Sequence, residues 1–301
     1  MSGGFPIANP SLAAERRLGI ALVVAAAVLW SLAGLFTRLI ALDVWTLLFW
    51  RAVFGGALMF AYLVFEHRGR SLAVFGRIGA LGWGAAAICA IAMIAYVAAL
   101  KLTSVANVLV IYAMTPFFAA GIAFAWTGER PSRRTLIASA VSLAGVAVMV
   151  SGSARSGRLM GDALALLMTG FFAFSIVMAR RDPNFSMTPV NVIAALLCAM
   201  VCWPLSQAGV PGPQDLVLVA LFGFCTIGGA FVLYMAGAKR LPAAETGLIG
   251  LIDTVLGPLW VWLAFQELPG AAALAGGAIV LSAVTWYMAT ELRGERMARA
   301  G

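Results

Sequence analysis

Tyr96-Val97-Ala98-Ala99-Leu100-Lys101 is answered 138 residues later by Tyr234-Met235-Ala236-Gly237-Ala238-Lys239. The correspondence continues through Ala106 and Ala244, Ile111 and Ile249, Glu129 and Glu267, Pro131 and Pro269, and Leu136 and Leu274. Eight identities over 41 positions carry little weight where they are alanines and leucines, but matched charges and prolines at the ends of apolar runs point to a duplication. Those runs are about twenty residues long, the length that crosses a bilayer core as a helix. Ten can be placed, at 18–37, 44–65, 78–100, 104–126, 133–151, 160–179, 188–207, 214–237, 243–265 and 270–290. Unpaired backbone groups are too costly in lipid for loops or open strands, so the runs are expected to be helical. Five spans per copy is an odd number, so the second copy faces the opposite way and a substrate site is expected between the halves.

Composition excludes most other classes. The chain is 63% hydrophobic and only 11% charged over 301 residues, where a soluble globule carries roughly a quarter charged residues. The breaks between spans carry helix-ending signals: Gly128-Glu129-Arg130-Pro131, Asp182-Pro183-Asn184, Pro211-Gly212-Pro213 and Leu268-Pro269-Gly270. A net charge of +8 has no basic domain to hold nucleic acid and fits cationic cytoplasmic loops. With both termini inside, fifteen Lys and Arg fall on the cytoplasmic side and Arg38, Lys101, Arg155 and Arg158 outside, with Arg51 inside the second span. Residues 1–17, which lack the pattern of a cleaved signal, are expected to form a cytoplasmic segment and 291–301 a cytoplasmic tail. The five-helix repeats occupy 18–151 and 160–290. Cys89, Cys198, Cys202 and Cys225 all lie within apolar spans, where small buried hydrophobes are the better reading than disulfides or a metal site.

The stretch from Tyr96 to Ala106, followed by Thr115-Pro116 and Gly128-Glu129-Arg130-Pro131, resembles the repeat signature of the EamA-type branch of the drug/metabolite transporter superfamily. It recurs in degraded form as Tyr234 to Lys239, Leu241-Pro242-Ala243-Ala244-Glu245 and Glu267-Leu268-Pro269. Val28-Leu29-Trp30-Ser31 and the stretch Asp253 to Trp260 are further similar to aromatic amino acid exporters of the YddG type. The resemblance implies small-molecule export across a ten-helix fold. Thr254 stands where such repeats often have a proline, as the first copy does at Pro116.

A carrier of zwitterionic or aromatic metabolites needs apolar walls and a few polar groups. Trp30, Ser31, Tyr112, Thr115, Phe171, Ser175 and Asp253 are expected to line the substrate path, near the depth of Cys89, Met93 and Thr226. The competing reading has the aromatics facing lipid or packing on neighbours. Asp253 is the sharpest signal, because an ionisable group deep in a span is costly and faces a cavity or a partner. It is expected to meet a substrate ammonium or carry a proton; the structural alternative has it neutral, or bonded to freed backbone near Gly257 and Pro258. Arg51 is expected to snorkel to an interface marked by Trp45 and Trp50, with capture of a substrate carboxylate as the lesser reading. Tyr96, Lys101, Tyr234 and Lys239 are candidate gate residues at repeat-related ends, with Glu129 and Glu267 at corresponding positions. Pro116 and Pro258 are the expected hinges.

A membrane-embedded enzyme would need clustered nucleophiles, acid and base pairs or metal ligands, whereas the sequence has one histidine, His67, in a loop. No nucleotide-binding loop is present to drive transport. The function expected is therefore secondary export of amino acids, aromatic or hydrophobic ones first, by alternating access; a broader drug or metabolite exporter is the alternative. The expected setting is the inner (plasma) membrane, with a small-molecule substrate and lipid as partners, no nucleic acid, no cofactor, no metal and no obligatory protein partner.

Overall fold

The computed structural model describes residues 10–67, 71–76, 78–128, 130–181, 186–207 and 210–300. Among these the regular structure is entirely helical. The spans are α1 Pro10–Leu39, α2 Val44–His67, α3 Gly79–Leu102, α4a Val105–Tyr112 with α4b Thr115–Thr127, and α5 Arg133–Arg155. The second half follows with α6 Leu159–Arg181, α7 Met187–Cys202, α8 Pro213–Ala238, α9a Ala243–Gly250 with α9b Ile252–Phe265, and α10 Ala271–Ala300. Nine of these are long and apolar enough to cross a membrane alone, and α4a with α4b makes a tenth span bent by 42°. Residues 182–185 and Glu129, which belong to the turn signals read above, lie outside the described residues.

The packing pairs come in repeat-related twos. α1 packs on α9 as α6 packs on α4, α1 on α8 as α6 on α3, and α2 on α8 as α7 on α3. These pairs all join the halves, and two more that do so map onto themselves, α2 with α7 and α5 with α10, whereas spans four and nine meet through α4a and α9b. The duplication is also written in the helix breaks. α4a and α9a are both eight residues long and stand 138 positions apart. The helices that follow them end in left-handed caps at Gly128 and Gln266, the same distance apart.

Span four breaks where the chain dictates. Pro116 has no N–H for the carbonyl of Tyr112, and the Thr115 hydroxyl donates to that carbonyl instead, at 2.5 Å. In span nine the break falls at Leu251, not at Pro258, which lies inside α9b. Pro258, the expected hinge, thus stands seven residues beyond the break: a proline removes one hydrogen bond, and here α9b runs through it. A third irregularity interrupts α8, a π-helical stretch at Phe224–Gly229.

The two ends of the bundle differ. α1 and α9 run parallel and in register, joined by ion pairs between Arg16 and Glu245 at one end and Arg38 and Glu267 at the other, with Trp260 donating to Ser31 between them. At the Arg38 end, α4a closes on both: a Cβ on Gly257 would lie 2.2 Å from Leu109, and one on Gly34 2.5 Å from Val105. Arg38 there also donates to the carbonyls of Leu100 and Thr103. The Thr103 hydroxyl and the Asn107 amide both donate to buried Asp162, and Asn107 also donates to Ser153. Toward the Arg16 end α4b turns away to lean on α6, and a Cβ on Gly121 or Gly250 would meet nothing within 4 Å. The molecule is closed at the Arg38 end and splayed at the other.

Candidate functional site

The breaks in spans four and nine lie eight residues, about 12 Å, from opposite ends of the bundle, deep inside the apolar zone. Non-helical backbone at such depth is tolerated where it is buried in protein or lines an aqueous cavity. Asp253 occupies the first turn of α9b, is only 6% exposed and accepts a hydrogen bond from the Thr254 hydroxyl at 3.0 Å. The free N–H groups and positive dipole end of a helix start favour a carboxylate there. Two tyrosines lie near it, and a third adjoins one of them. Tyr96 and Tyr112 both lie within electrostatic reach of Asp253, and Tyr112 within reach of Tyr96 and Tyr234.

Aromatic rings extend the cluster. Trp30 packs on Tyr234 with ring centroids 5.2 Å apart and donates its indole N–H to the carbonyl of Thr226 at 2.9 Å. Tyr112 packs on Phe172 at 5.4 Å. Phe171, expected on the path, instead lines an apolar groove of about 570 Å³ with Ile88, Ile122 and Phe174. One residue is about 100° around a helix, so Phe171 and Phe172 serve different faces.

Three expected polar contacts are already engaged. Ser31 is fully buried, donates to the carbonyl of Val28 and accepts from Trp260. Ser175 is fully buried and bonds back to the carbonyls of Phe171 and Phe172, while Thr115 satisfies Tyr112. Of these bonds only that from Trp260 to Ser31 ties two spans together; the Ser175 and Thr115 hydroxyls fall back on carbonyls three or four residues earlier in their own span.

The candidate gate lysines do not form the clasps. Lys101 donates to the carbonyls of Ile40 and Leu42, closing the end of α1, and Lys239 stands 3.9 Å from Glu66 on an exposed edge. The clasp residues on α1 are Arg16 and Arg38, the latter bidentate on Glu267 at 2.8 and 3.2 Å. Arg51 does not snorkel. It is 5% exposed, lies 4.5 Å over the ring of Phe222 and donates to the Thr226 hydroxyl at 3.1 Å, while its Nε has no partner.

Outside the spans, Asp43 caps α2, accepting from the backbone N–H groups of Trp45 and Thr46 at 3.0 and 3.1 Å. Partial burial pushes its carboxyl upward, but the hydrogen bonds from the side chain and backbone of Thr46 and from Trp45 prevail and hold it below its ordinary value. Among the described residues no group of three His, Cys, Asp or Glu side chains could hold a metal ion.

Comparison with known proteins agrees with this architecture. The chain matches none of the curated proteins with which it was compared. A solved crystal structure shares 21% identity with it and superposes with a TM-score of 0.64 over 92% of this chain and 98% of the other, a likeness of fold. The EamA-like transporter family matches residues 17–151 and again 159–289. The two matches start 142 residues apart, and at that offset Phe172 corresponds to Trp30, so each repeat brings one aromatic from its first span to the cluster. Two family repeats covering most of the sequence, folded as ten apolar spans about a pair of broken helices, make the chain a member of the EamA-like transporter family, multi-pass membrane transporters of the drug/metabolite transporter superfamily.

Proposed function

We propose that the protein is a secondary carrier that exports amino acids, aromatic or hydrophobic ones first, by alternating access between its two halves. The observation that carries this reading is the buried carboxylate of Asp253 at a helix start inside the bundle, with Tyr96 and Tyr112 within its electrostatic reach and Tyr234 within reach of Tyr112. A carboxylate at that depth is costly unless a cation or polar partner meets it. The rings of Trp30, Phe172, Tyr112 and Tyr234 suit an apolar or aromatic side chain, and Asp253 suits an ammonium.

The Arg16 end carries the clustered cationic loops and is assigned to the cytoplasm, with both termini on that side of an inner (plasma) membrane. The cargo then enters from the cytoplasm through the splayed end, between α4b and α9a. Leu109 seated on Gly257 holds the outer end shut. Residues 18–151 and 160–290 act as the two halves.

Counterflow tests the reading. Purified protein in proteoliposomes loaded with unlabelled phenylalanine is expected to accumulate labelled phenylalanine transiently, in a saturable way. Absence of flux for every amino acid tried, with the protein folded, overturns the assigned cargo. Repeating the assay under an imposed pH gradient distinguishes proton coupling, which shifts the overshoot, from facilitated exchange, which does not.

A further inference from the structure

Arg51 is a buried cation inside a span, with no counter-charge among the described residues. Arg38, on the neighbouring helix, shows how this protein satisfies a structural arginine: both oxygens of Glu267 and the carbonyls of Leu100 and Thr103 receive its protons. Arg51 is more deeply buried, yet its hydrogen bond runs to a neutral hydroxyl, that of Thr226, and its Nε is unpartnered. None of the ion pairs among the described residues includes it. A guanidinium inside a span without an acidic partner is costly, and such groups mark substrate pathways.

Its position connects it to the cluster already described. Thr226 lies in the π-helical stretch of α8, an irregularity frequent at functional sites. Its hydroxyl receives Arg51 and its carbonyl receives the indole of Trp30, so one residue ties the cation to the aromatic wall. Tyr96 lies within electrostatic reach of both Arg51 and Asp253, and neither of these belongs to an ion pair among the described residues. Unpaired groups of opposite sign within reach of one tyrosine suit a molecule that carries both charges.

We propose that Arg51 is the anion-recognising pole of the transport site, taking the carboxylate of a zwitterionic cargo whose ammonium goes to Asp253. This rests on the carrier reading above and sharpens it, because a site with only the Asp253 pole would accept organic amines equally well. The planar fork of arginine matches a carboxylate in two-point geometry.

The experiment compares wild type with R51Q and R51K in proteoliposomes, using labelled phenylalanine as cargo and unlabelled phenylalanine or phenethylamine as competitor. Wild type is expected to prefer the amino acid over the amine lacking its carboxylate. R51Q is expected to lose that preference by at least about tenfold, while R51K recovers part of it. An unchanged amino-acid-to-amine ratio in R51Q protein of normal thermal stability overturns the assignment. If R51Q does not fold, T226V decides the matter: a raised KM for phenylalanine with unchanged amine competition supports the assignment, and equal effects on both overturn it. Failure of wild type to move any amino acid strikes the carrier reading itself, a separate result.

Discussion

At the residue scale, Asp253 and Phe172 carry the sharpest expectations. D253N keeps the shape and removes the charge, so counterflow is expected to fall by about tenfold or more at equal amounts of folded protein. F172A is expected to impair counterflow while F171A leaves it near the wild-type rate, because only Phe172 packs on Tyr112. Asp43 tests a different link. Its cap on α2 is worth about 1 kcal/mol, so D43A lowers stability by that order at neutral pH. Because the native pKa is depressed, this contribution is present above the ordinary carboxylate value of about 4 and disappears as pH falls through the native one. Thermal unfolding of wild type and D43A in detergent is expected to converge on acidification. The burial of Asp253 inside the bundle was legible in the sequence because a lone carboxylate in an apolar run has few other places to go. Phe172 was not: separating it from Phe171 needs the 142-residue offset of the first spans, which the 138-residue offset of the later spans does not supply. Arg51 was misread because two turns into a span is within snorkelling reach, and only the fold shows Thr226 and Phe222 turning it inward.

At the element scale, the breaks and close crossings make separable predictions. P116A restores the N–H that the Tyr112 carbonyl lacks and is expected to straighten span four and slow transport more than P258A does, since Pro258 lies away from its span's break. Initial counterflow rates of the two variants decide this. α5 and α10 cross at paired glycines, where a Cβ on Gly276 would lie 2.3 Å from the carbonyl of Gly145 and 3.0 Å from the backbone of Met149. Backbone cannot yield as a side chain does, so G276A is expected to cost about 1–3 kcal/mol, read as a lowered melting temperature. G121A, in open space, is expected to be close to neutral. The existence and approximate extent of all ten spans followed from apolar length alone. The break at Leu251 did not, because no proline marks it; a helix start around Asp253 and the end of α9a at Gly250 set it together.

At the scale of the whole molecule, the inverted repeat relates the closed end to the open one. Shifting Leu109 and Gly257 by 138 residues in opposite directions gives Gly247 and Ala119. In the present state Ala119 packs against Ala173 and Val177 of α6, and Gly247 faces Met288 of α10, so this second pair is apart. If the halves exchange roles, Ala119 meets Gly247 when Leu109 leaves Gly257. The sequence carries the duplication but not the choice of closed end, because that depends on small differences between two nearly equivalent seams. The bonds from Arg38 to the carbonyls of Leu100 and Thr103 and the buried network around Asp162 are made at the closed end.

Disulfide trapping tests this exchange most directly. In a background lacking Cys89, Cys198, Cys202 and Cys225, the pairs L109C/G257C and A119C/G247C are oxidised in membranes and assayed for counterflow before and after reduction. Both pairs are expected to cross-link within one molecule, each blocking counterflow and each releasing it on reduction. A protein that transports normally while A119C/G247C never cross-links, or that keeps transporting with either bond formed, contradicts alternating access between the two halves.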